Sequence, residues 1–376
     1  MRTQTSARRT AARLADGREI FYYDDTPDAP ARTVRDTRDL GRRASAGHIR
    51  FDALVGDWVA VAGHRMNRTF LPPRDECPLC PAGRGSSSSE VPDPAYDVVV
   101  FENRFPSYAP LADDVLADDV LAGDGPFQKA PARGRTEVVC FTSDHEASFG
   151  SLPPWRIRTV IDAWADRTRA LAADPDVEHV FCFENRGQEI GVTLHHPHGQ
   201  IYGYPYVPAR TREILTRAQE HHAQTGRLLG ADILAAERAD GSRVVLSTEH
   251  WTAYVPFAAR WPLEVHVAPH RDVPDLVALD AAERDDLATL YLDLLARLDR
   301  YHVADDGAPI TLPYIAAWHQ APARVGREIS RLHLQVMSVL REPGKLKYLA
   351  GSESGAGGWV NDAHPEAVAQ RLRSLA

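Results

Sequence analysis

The stretch GVTLHHPHGQIYGYPYVP, residues 191–208, places three histidines within four residues, directly ahead of a glutamine and an aromatic-rich run. A run of this kind predicts a β-strand, in which alternate side chains point to the same face. His196, His198 and Gln200 therefore share one face, and Pro197 stiffens the backbone between the two histidines. The stretch predicts a polar site built on a strand.

The chemistry of this site follows from the properties of imidazole. A neutral imidazole is a competent nucleophile when one ring nitrogen is held by an acceptor and the other keeps its lone pair. The carbonyl of His196, two residues earlier, is well placed to hold Nδ1 of His198. We therefore predict His198 as a nucleophile toward phosphorus and Gln200 as a hydrogen-bond donor to a phosphoryl oxygen. The alternative is a surface histidine cluster or an adventitious metal site. It does not account for the positions of Gly191, Pro197 and Gln200 relative to the histidines.

A CxxC turn at Cys77 and Cys80 indicates a second polar site. In a chain with few cysteines such a turn is typical of zinc or redox chemistry, and the βαβ context of a redox motif is missing. A second CxxC is also missing, so two further ligands must come from elsewhere, and His145 and His196 are the candidates. Four protein ligands would fill a tetrahedral Zn²⁺ and make the site structural. The alternative is a turn with two reduced cysteines.

The rest of the sequence predicts an α+β protein. Residues 1–45 lack sustained periodicity and are predicted to form a flexible arm. Helical spacing of apolar residues predicts helices over about 155–172 and 280–303. Short apolar runs predict strands, with a hairpin over 48–63 and further strands at 96–103, 136–142, 178–185, 199–207, 242–248, 252–257, 262–269, 313–320 and 331–340.

The order of these elements repeats along the chain. The segments that correspond are 137–145 with 263–270, 180–187 with 313–320, and 196–200 with 331–335, and a helix follows the first pair in each half. We predict two tandem related halves, 46–208 and 209–376, each with a mainly antiparallel sheet packed against helices; chance repetition is the alternative. The second half has Arg331 in place of His196 and lacks a CxxC, which indicates a non-catalytic scaffold.

Composition excludes some classes of function. The 376 residues carry 43 basic and 52 acidic side chains, a net charge of −9, which argues against nucleic acid as a partner. No apolar run reaches the length of a membrane span, and the N-terminal residues lack the apolar core of a signal peptide. Four cysteines make no disulfide framework, so a reducing cytoplasm fits.

Together these motifs resemble the galactose-1-phosphate uridylyltransferases, a family of the histidine-triad (HIT) superfamily. The matching pieces run in the family's order over about 48–353. They are CPLC (77–80), VFENRF (100–105), FENRG (183–187), HPHGQIY (196–202), EHWTAYVPFAARWP (249–262), AAWHQAP (316–322) and KLKYLAGSE (345–353).

The resemblance implies a ping-pong reaction. UDP-glucose would pass its uridylyl group to His198 and release glucose 1-phosphate, and galactose 1-phosphate would then take the group. Lys347 would reach the hexose phosphate across a homodimer interface. The nucleotide would be contacted by Arg65, Arg68, Phe101, Asn103, Asn185, Gly191 and Thr193, the last at a position where Ser is common.

The resemblance also implies a second metal, bound by a Glu and three His. His319 and His333 match two of the histidines, but Gln335 stands in place of the third, and Glu213 is out of register for the carboxylate. This second metal is therefore in doubt.

Three alternatives stay open at this point. The first is nucleotidyl transfer with another nucleotide sugar or phosphorolysis of a dinucleoside polyphosphate. The second is a HIT-type hydrolase, which the Gln at position 200 disfavours, since a third histidine tends to occupy that place. The third is a zinc-stabilised nucleotide-binding protein without turnover.

Overall fold

The computed structural model describes residues 7–41, 47–67, 71–82, 89–110 and 125–375, with the side chain of residue 67 left out. Its helices are α1 (Pro154–Ala172), α2 (Ala209–Thr225), α3 (Leu229–Asp240), α4 (Ala281–Asp299) and α5 (Pro365–Ser374). Its strands are β1 (Arg8–Arg13), β2 (Glu19–Asp24), β3 (His48–Asp52), β4 (Asp57–Val61), β5 (Val98–Glu102), β6 (Lys129–Pro131), β7 (Arg135–Cys140), β8 (His179–Arg186), β9 (His198–Tyr204), β10 (Val244–Ser247), β11 (Trp251–Tyr254), β12 (Leu263–Pro269), β13 (Tyr314–His319), β14 (His333–Ser338), β15 (Leu340–Glu342) and β16 (Lys345–Leu346).

One antiparallel sheet runs through both halves of the chain. Among the described residues it has eleven strands in the order β1-β2-β5-β7-β9-β8-β13-β14-β12-β11-β10. The halves meet where β8 pairs with β13, with Asn185 opposite Ile315 and Phe183 opposite Ala317. On either side of this seam β8-β9-β7 mirrors β13-β14-β12. The predicted α+β, HIT-like class with two related antiparallel halves is confirmed, and the two sheets are continuous.

Helices α1 and α4 cover one face of the sheet and leave the other for the site. Ile161 and Trp164 of α1 and Leu294 of α4 lie in one buried apolar cluster with strand residues such as Ile201 and Leu334. Because strand side chains alternate, the residues that flank Ile201 and Leu334 in sequence point away from these helices. Both predicted helices and the predicted strands are confirmed, with bounds that shift by a few residues.

The small sheet β4-β3-β6 packs against tyrosines on the open face of the main sheet. Its β3–β4 hairpin, which the sequence predicted, turns at Gly56 with a φ of 70°, a left-handed conformation that favours glycine. Tyr202 and Tyr204 of β9 lie in the same apolar cluster as Ile49 of β3. This packing closes one side of the space above β9.

The prediction of a flexible arm over residues 1–45 is wrong for β1 and β2. These strands extend the main sheet at the β5 edge, and Ile20–Tyr23 are at most 4% exposed. Arg18 is also buried, and its guanidinium bonds Asp16 at 2.7 Å and Glu90 at 2.5 Å. Burial of four large side chains and a paired cation gives this segment its fixed structure.

The chain between the two halves folds into α2 and α3, which the sequence analysis did not predict. Both helices end at a glycine in the left-handed conformation, Gly226 and Gly241. None of the helices in the described ranges combines the length and hydrophobicity that a membrane crossing requires.

Candidate functional site

The site lies on the sheet face opposite α1 and α4, where β9 begins. Ile201 of β9 is fully buried on the helix side, whereas His198 and Gln200 alternate with it and are partly exposed. The predicted common face is therefore present for His198 and Gln200, whereas His196 lies at a bend before β9 and is fully buried. In the part of the chain that the structure describes, the Gln200 side chain has no hydrogen-bond partner, so its amide can donate to a bound group.

His198 is held in one ring orientation by the main-chain carbonyl of His196. Its Nδ1 lies 2.8 Å from the carbonyl oxygen of His196, and because a carbonyl only accepts, Nδ1 carries the proton. Burial lowers the pKa of His198, and this hydrogen bond opposes the shift only in part. The ring is neutral near pH 7 and keeps its lone pair on Nε2, as a nucleophile requires.

Four side chains next to His198 form a cluster that can hold a metal ion. The ligand atoms of Cys77, Cys80, His145 and His196 lie within 4.8 Å of one another. Sγ of Cys80 is 3.3 Å from Nδ1 of His145 and 3.6 Å from Nδ1 of His196. The donor set is two sulfurs and two imidazoles, of which both cysteines and His196 are buried and His145 is partly exposed. These residues fit a tetrahedral metal with no open position.

The position of the proton on the His196 ring is compatible with metal binding through the other ring nitrogen. Its Nε2 is 2.8 Å from the carbonyl oxygen of Thr142 and 2.9 Å from the hydroxyl oxygen of Tyr96, whose own proton goes to the carbonyl of Leu79. Nε2 therefore donates, and Nδ1 faces Cys80 with its lone pair. Thr142 and Tyr96 were missed in the sequence, where nothing marks a carbonyl or a distant tyrosine as a ligand's partner.

His196 thus has two separate contacts with the site. Its ring belongs to the metal cluster, and its main-chain carbonyl orients the ring of His198. The metal cluster and the candidate nucleophile are linked by a single peptide segment. Any shift of the cluster would move the acceptor that selects the His198 tautomer.

Three of the residues predicted to contact the nucleotide lie on β8 or in the loop between β8 and β9. The pairing of Glu184 with Gly199 brings the neighbouring Asn185 beside His198. Gly191 has a φ of 82° and follows a short helical turn. The carbonyl of Thr193 accepts from the amide of Leu71 at 2.8 Å. Asn185 therefore lies on the strand beside His198, and Gly191 and Thr193 lie in the loop that leads into β9. Their roles in nucleotide binding stay predictions.

The remaining predicted nucleotide contacts come from the loop after β5 and from the chain after β4. Arg65 donates from Nη1 to the carbonyl of Phe105 at 2.8 Å, and the side chain of Asn103 accepts from the amide of Phe105 at 2.8 Å. Phe101 is 2% exposed in the apolar cluster beneath the CxxC turn, which leaves little of its ring for a ligand. Arg68 lies outside the described residues.

The ammonium of Lys347 is hydrogen bonded within its own chain. Its ammonium donates to Oε1 of Glu353 at 3.1 Å and to the carbonyl of Val360, and the residue is 3% exposed. The segment that carries it follows β16, outside the main sheet. The structure does not bring Lys347 to His198 within one chain.

Fold and site together define a protein of the histidine-triad-like class, with a neutral imidazole presented on the open face of an antiparallel sheet. Family models for galactose-1-phosphate uridyl transferase match nearly the whole chain, the N-terminal domain over 37–208 and the C-terminal domain over 215–376. The chain belongs to the galactose-1-phosphate uridylyltransferase family.

Individual relatives agree with this assignment. The chain is 46% identical to galactose-1-phosphate uridylyltransferase of Streptomyces lividans over 98% of both proteins. It is 34% identical to the enzyme of the same name from Thermotoga maritima, over 86% of this chain and 97% of that one. A solved structure titled as a uridylyltransferase superposes with a TM-score of 0.75 at 32% identity, covering 87% of this chain and 98% of that chain.

Proposed function

We propose that this chain is a UDP-glucose–hexose-1-phosphate uridylyltransferase that works through a uridylyl-histidine intermediate on His198. The observation that carries the proposal is the hydrogen bond from Nδ1 of His198 to the His196 carbonyl, which leaves Nε2 as the nucleophilic atom. Membership of the family supports the choice of UDP-glucose and galactose 1-phosphate as substrates.

The reaction balances in two displacements at the same phosphorus atom. In the first, Nε2 of His198 attacks the uridylyl phosphorus of UDP-glucose, an N–P bond forms, and the P–O bond to glucose 1-phosphate breaks. In the second, a phosphate oxygen of galactose 1-phosphate attacks the same phosphorus and releases His198. No proton has to leave the imidazole for the attack, since Nδ1–H stays on the His196 carbonyl and stabilises the charge that the ring acquires.

Gln200 complements this step electrostatically. It lies two residues after His198 on the same face and has no protein partner among the described side chains. A neutral amide donor at this place stabilises the developing negative charge on a phosphoryl oxygen. A histidine here would supply an acid for hydrolysis, so Gln200 favours transfer to a sugar phosphate over transfer to water.

The Cys77, Cys80, His145 and His196 cluster is proposed as a structural Zn²⁺ site. Two thiolates and two imidazoles are the ligands that Zn²⁺ prefers, and with all four positions taken by protein the ion supplies stability without touching substrate. Thiolate ligands need a reducing compartment, which supports a cytoplasmic location as part of the proposal.

The substrate contacts beyond His198 and Gln200 are also proposals. Arg65 and Arg68 would bind nucleotide phosphate, and Asn103, Asn185, Gly191 and Thr193 would line the nucleotide site. Phe101 would add only the small part of its ring that is exposed. Lys347 is proposed to meet the hexose phosphate in a homodimer. Glu353 and the carbonyl of Val360 accept two of the three N–H donors of its ammonium, so this contact would use the third or replace one of these partners.

The proposed function is tested by identifying which acceptor takes the uridylyl group from the enzyme. Enzyme is charged with UDP-glucose that is labelled in the uridine, excess nucleotide is removed, and galactose 1-phosphate, inorganic phosphate or water is added to separate samples. The proposal expects rapid appearance of labelled UDP-galactose with the sugar phosphate alone. Discharge by inorganic phosphate would establish a phosphorylase, discharge by water a hydrolase, and a protein that never takes up label would be a binding protein.

A further inference from the structure

The C-terminal half contains a second histidine cluster, on the same face of the sheet as His198. His319 on β13 pairs with His333 on β14, and their ring centroids are 4.8 Å apart with an interplanar angle of 17°. The ring of His266 on β12 lies 5.1 Å from that of His333. The family resemblance implies a metal at this place, and the fit of these residues to a metal depends on which ring nitrogens carry protons.

The orientation of Gln335 fixes the proton on His319. The amide nitrogen of Gln335 lies 2.6 Å from Oε1 of Glu264, and a carboxylate can only accept, so the NH₂ group faces Glu264. The amide oxygen of Gln335 then faces Nε2 of His319 at 3.0 Å. Nε2 of His319 therefore carries the proton and has no lone pair for a metal.

Glu264 also fixes the proton on His266 and is itself saturated. Its Oε1 lies 3.1 Å from Nε2 of His266, so that nitrogen donates as well. Its Oε2 accepts from the amides of Arg260 at 2.6 Å and Trp261 at 3.2 Å. Although burial opposes ionisation, these hydrogen bonds, led by the one from His266, lower the pKa of Glu264 to about 2. A carboxylate with four N–H donors has no oxygen left for a metal ion.

Helix α2 lies beside this cluster without a carboxylate ligand. Thr211, Ile214 and Leu215 line a small cavity together with His319 and His333, and no acidic side chain lines it. Glu213, the nearest acidic residue on α2, is exposed and instead accepts from Nε of Arg217 at 2.7 Å. The carboxylate that the family's second metal requires is missing from this helix face.

His196, His319 and His266 all carry the proton on Nε2, but the two histidine clusters direct these N–H groups differently. In the N-terminal cluster, His196 donates outward through Nε2 and aims a lone pair at Cys80. In the C-terminal cluster, His319 donates its Nε2–H to Gln335 and His266 donates its Nε2–H to Glu264, so both protons point to other members of the cluster. We propose that the hydrogen-bonded chain His319–Gln335–Glu264–His266 replaces the second metal, so that the protein binds one metal per chain and binds it in the N-terminal half.

This chain of hydrogen bonds has a structural role that a metal would otherwise fill. It ties β13, β14 and β12 together through side chains in the middle of the C-terminal sheet. His333, which stands where the first half has His198, lies with its ring beside those of His319 and His266 and is hydrogen bonded to the main chain of Arg331. The inference does not depend on the proposed reaction, since it concerns metal content and proton positions.

Metal analysis tests the proposal. Protein produced with zinc, iron and cobalt in the medium is measured by elemental analysis, in the wild type and in the His319→Ala, Gln335→Leu and Cys77→Ala variants. We expect one equivalent of metal per chain in the wild type and in the first two variants, and none in Cys77→Ala. A second equivalent in the wild type that His319→Ala removes would overturn the proposal.

A second measurement uses only the wild type, so that it tests the proposal even if the variants do not fold. Protein labelled with ¹⁵N-histidine is observed by NMR, where the nitrogen shifts report which ring atom is protonated. We expect Nε2–H for both His266 and His319 and no change when zinc is added beyond one equivalent. An unprotonated Nε2 on either ring, or a shift on zinc addition, would overturn the proposal even if no variant could be purified.

Discussion

The main-chain carbonyl of His196 accepts a hydrogen bond from Nδ1 of His198 at 2.8 Å, while the ring of His196 lies in the metal cluster. Structure and chemistry are therefore coupled across two residues. A metal bound to this cluster would fix the position of the His196 peptide, whose carbonyl selects the tautomer of His198.

Metal removal is expected to destabilise the protein and, through it, to inactivate it. Because the site has four protein ligands, binding free energy adds to folding free energy. If free zinc is buffered 1,000-fold above its Kd, its removal costs about 4 kcal/mol of unfolding free energy. Urea unfolding in buffered zinc and in chelator measures the difference.

The matched control for the metal prediction is Cys182→Ala. Cys182 is as buried as Cys77 but lies on β8 in the helix-side core. We expect Cys182→Ala to keep its metal and the stabilisation by zinc, whereas Cys77→Ala loses both. Equal stabilisation by zinc in Cys77→Ala would show that this cluster is not the binding site.

Substitution of Gln200 is expected to slow the chemical step more than it weakens binding. Gln200→Leu removes a donor aimed at charge that develops in the transition state, and loss of one such donor costs about 10²–10³ in kcat. Steady-state kinetics separate kcat from KM. Tyr202→Phe, two residues further along the same strand face, is the control and is expected to stay near the wild-type kcat. A Gln200→Leu enzyme with changed KM and normal kcat would place the amide in ground-state binding.

Glu184 is expected to make stability depend on pH. Burial raises its pKa from 4.5 to about 7, against the opposing effects of Arg186 and Tyr314. A raised pKa in the folded state means that the stability present below pH 4.5 is lost as pH rises through 7. Between pH 5 and pH 8 the wild type should lose on the order of a few kcal/mol that Glu184→Gln does not lose. Urea unfolding of both proteins at the two pH values isolates this group, and parallel pH profiles would contradict the assignment.

The N-terminal strands are expected to contribute to stability like a core element. Phe21 is 4% exposed and packs between the helix-side core and the guanidinium of Arg167, 4.1 Å from its ring centroid. Phe21→Ala should cost about 3–5 kcal/mol of unfolding free energy. The control Leu54→Ala removes a side chain that is 97% exposed and should change stability by less than about 0.5 kcal/mol. Equal values for the two variants would mean that β2 is not docked in solution.

Much of the fold could be predicted because the signals are local. The apolar runs that became β7, β8, β9, β12, β13 and β14 show strand patterns by themselves. The docked strands of the arm could not be predicted, although Ile20–Tyr23 is an apolar run that ends at two aspartates, because the polar residues around it outweigh this short signal. The continuous sheet across β8 and β13 could not be predicted, since pairing between halves leaves no periodic mark in either strand.

The candidate site divides in the same way. The common face of His198 and Gln200 follows from strand alternation, which does not extend to His196, and the metal set follows from a CxxC turn that needs two more ligands. The contacts of Gln335 with Glu264 and His319 could not be found, because the three residues come from the separate strands β14, β12 and β13 and their spacing in sequence carries no motif. Proton positions require the three-dimensional contacts.

The most direct test of the account is the covalent intermediate. Wild-type enzyme, His198→Ala and His333→Ala are each mixed with uridine-labelled UDP-glucose alone, quenched in base, and assayed for label on protein. The account predicts base-stable, acid-labile label on the wild type and on His333→Ala, at the peptide that contains residue 198, and none on His198→Ala. Labelling of His198→Ala at the wild-type level, or turnover by a wild type that never carries label, would contradict it.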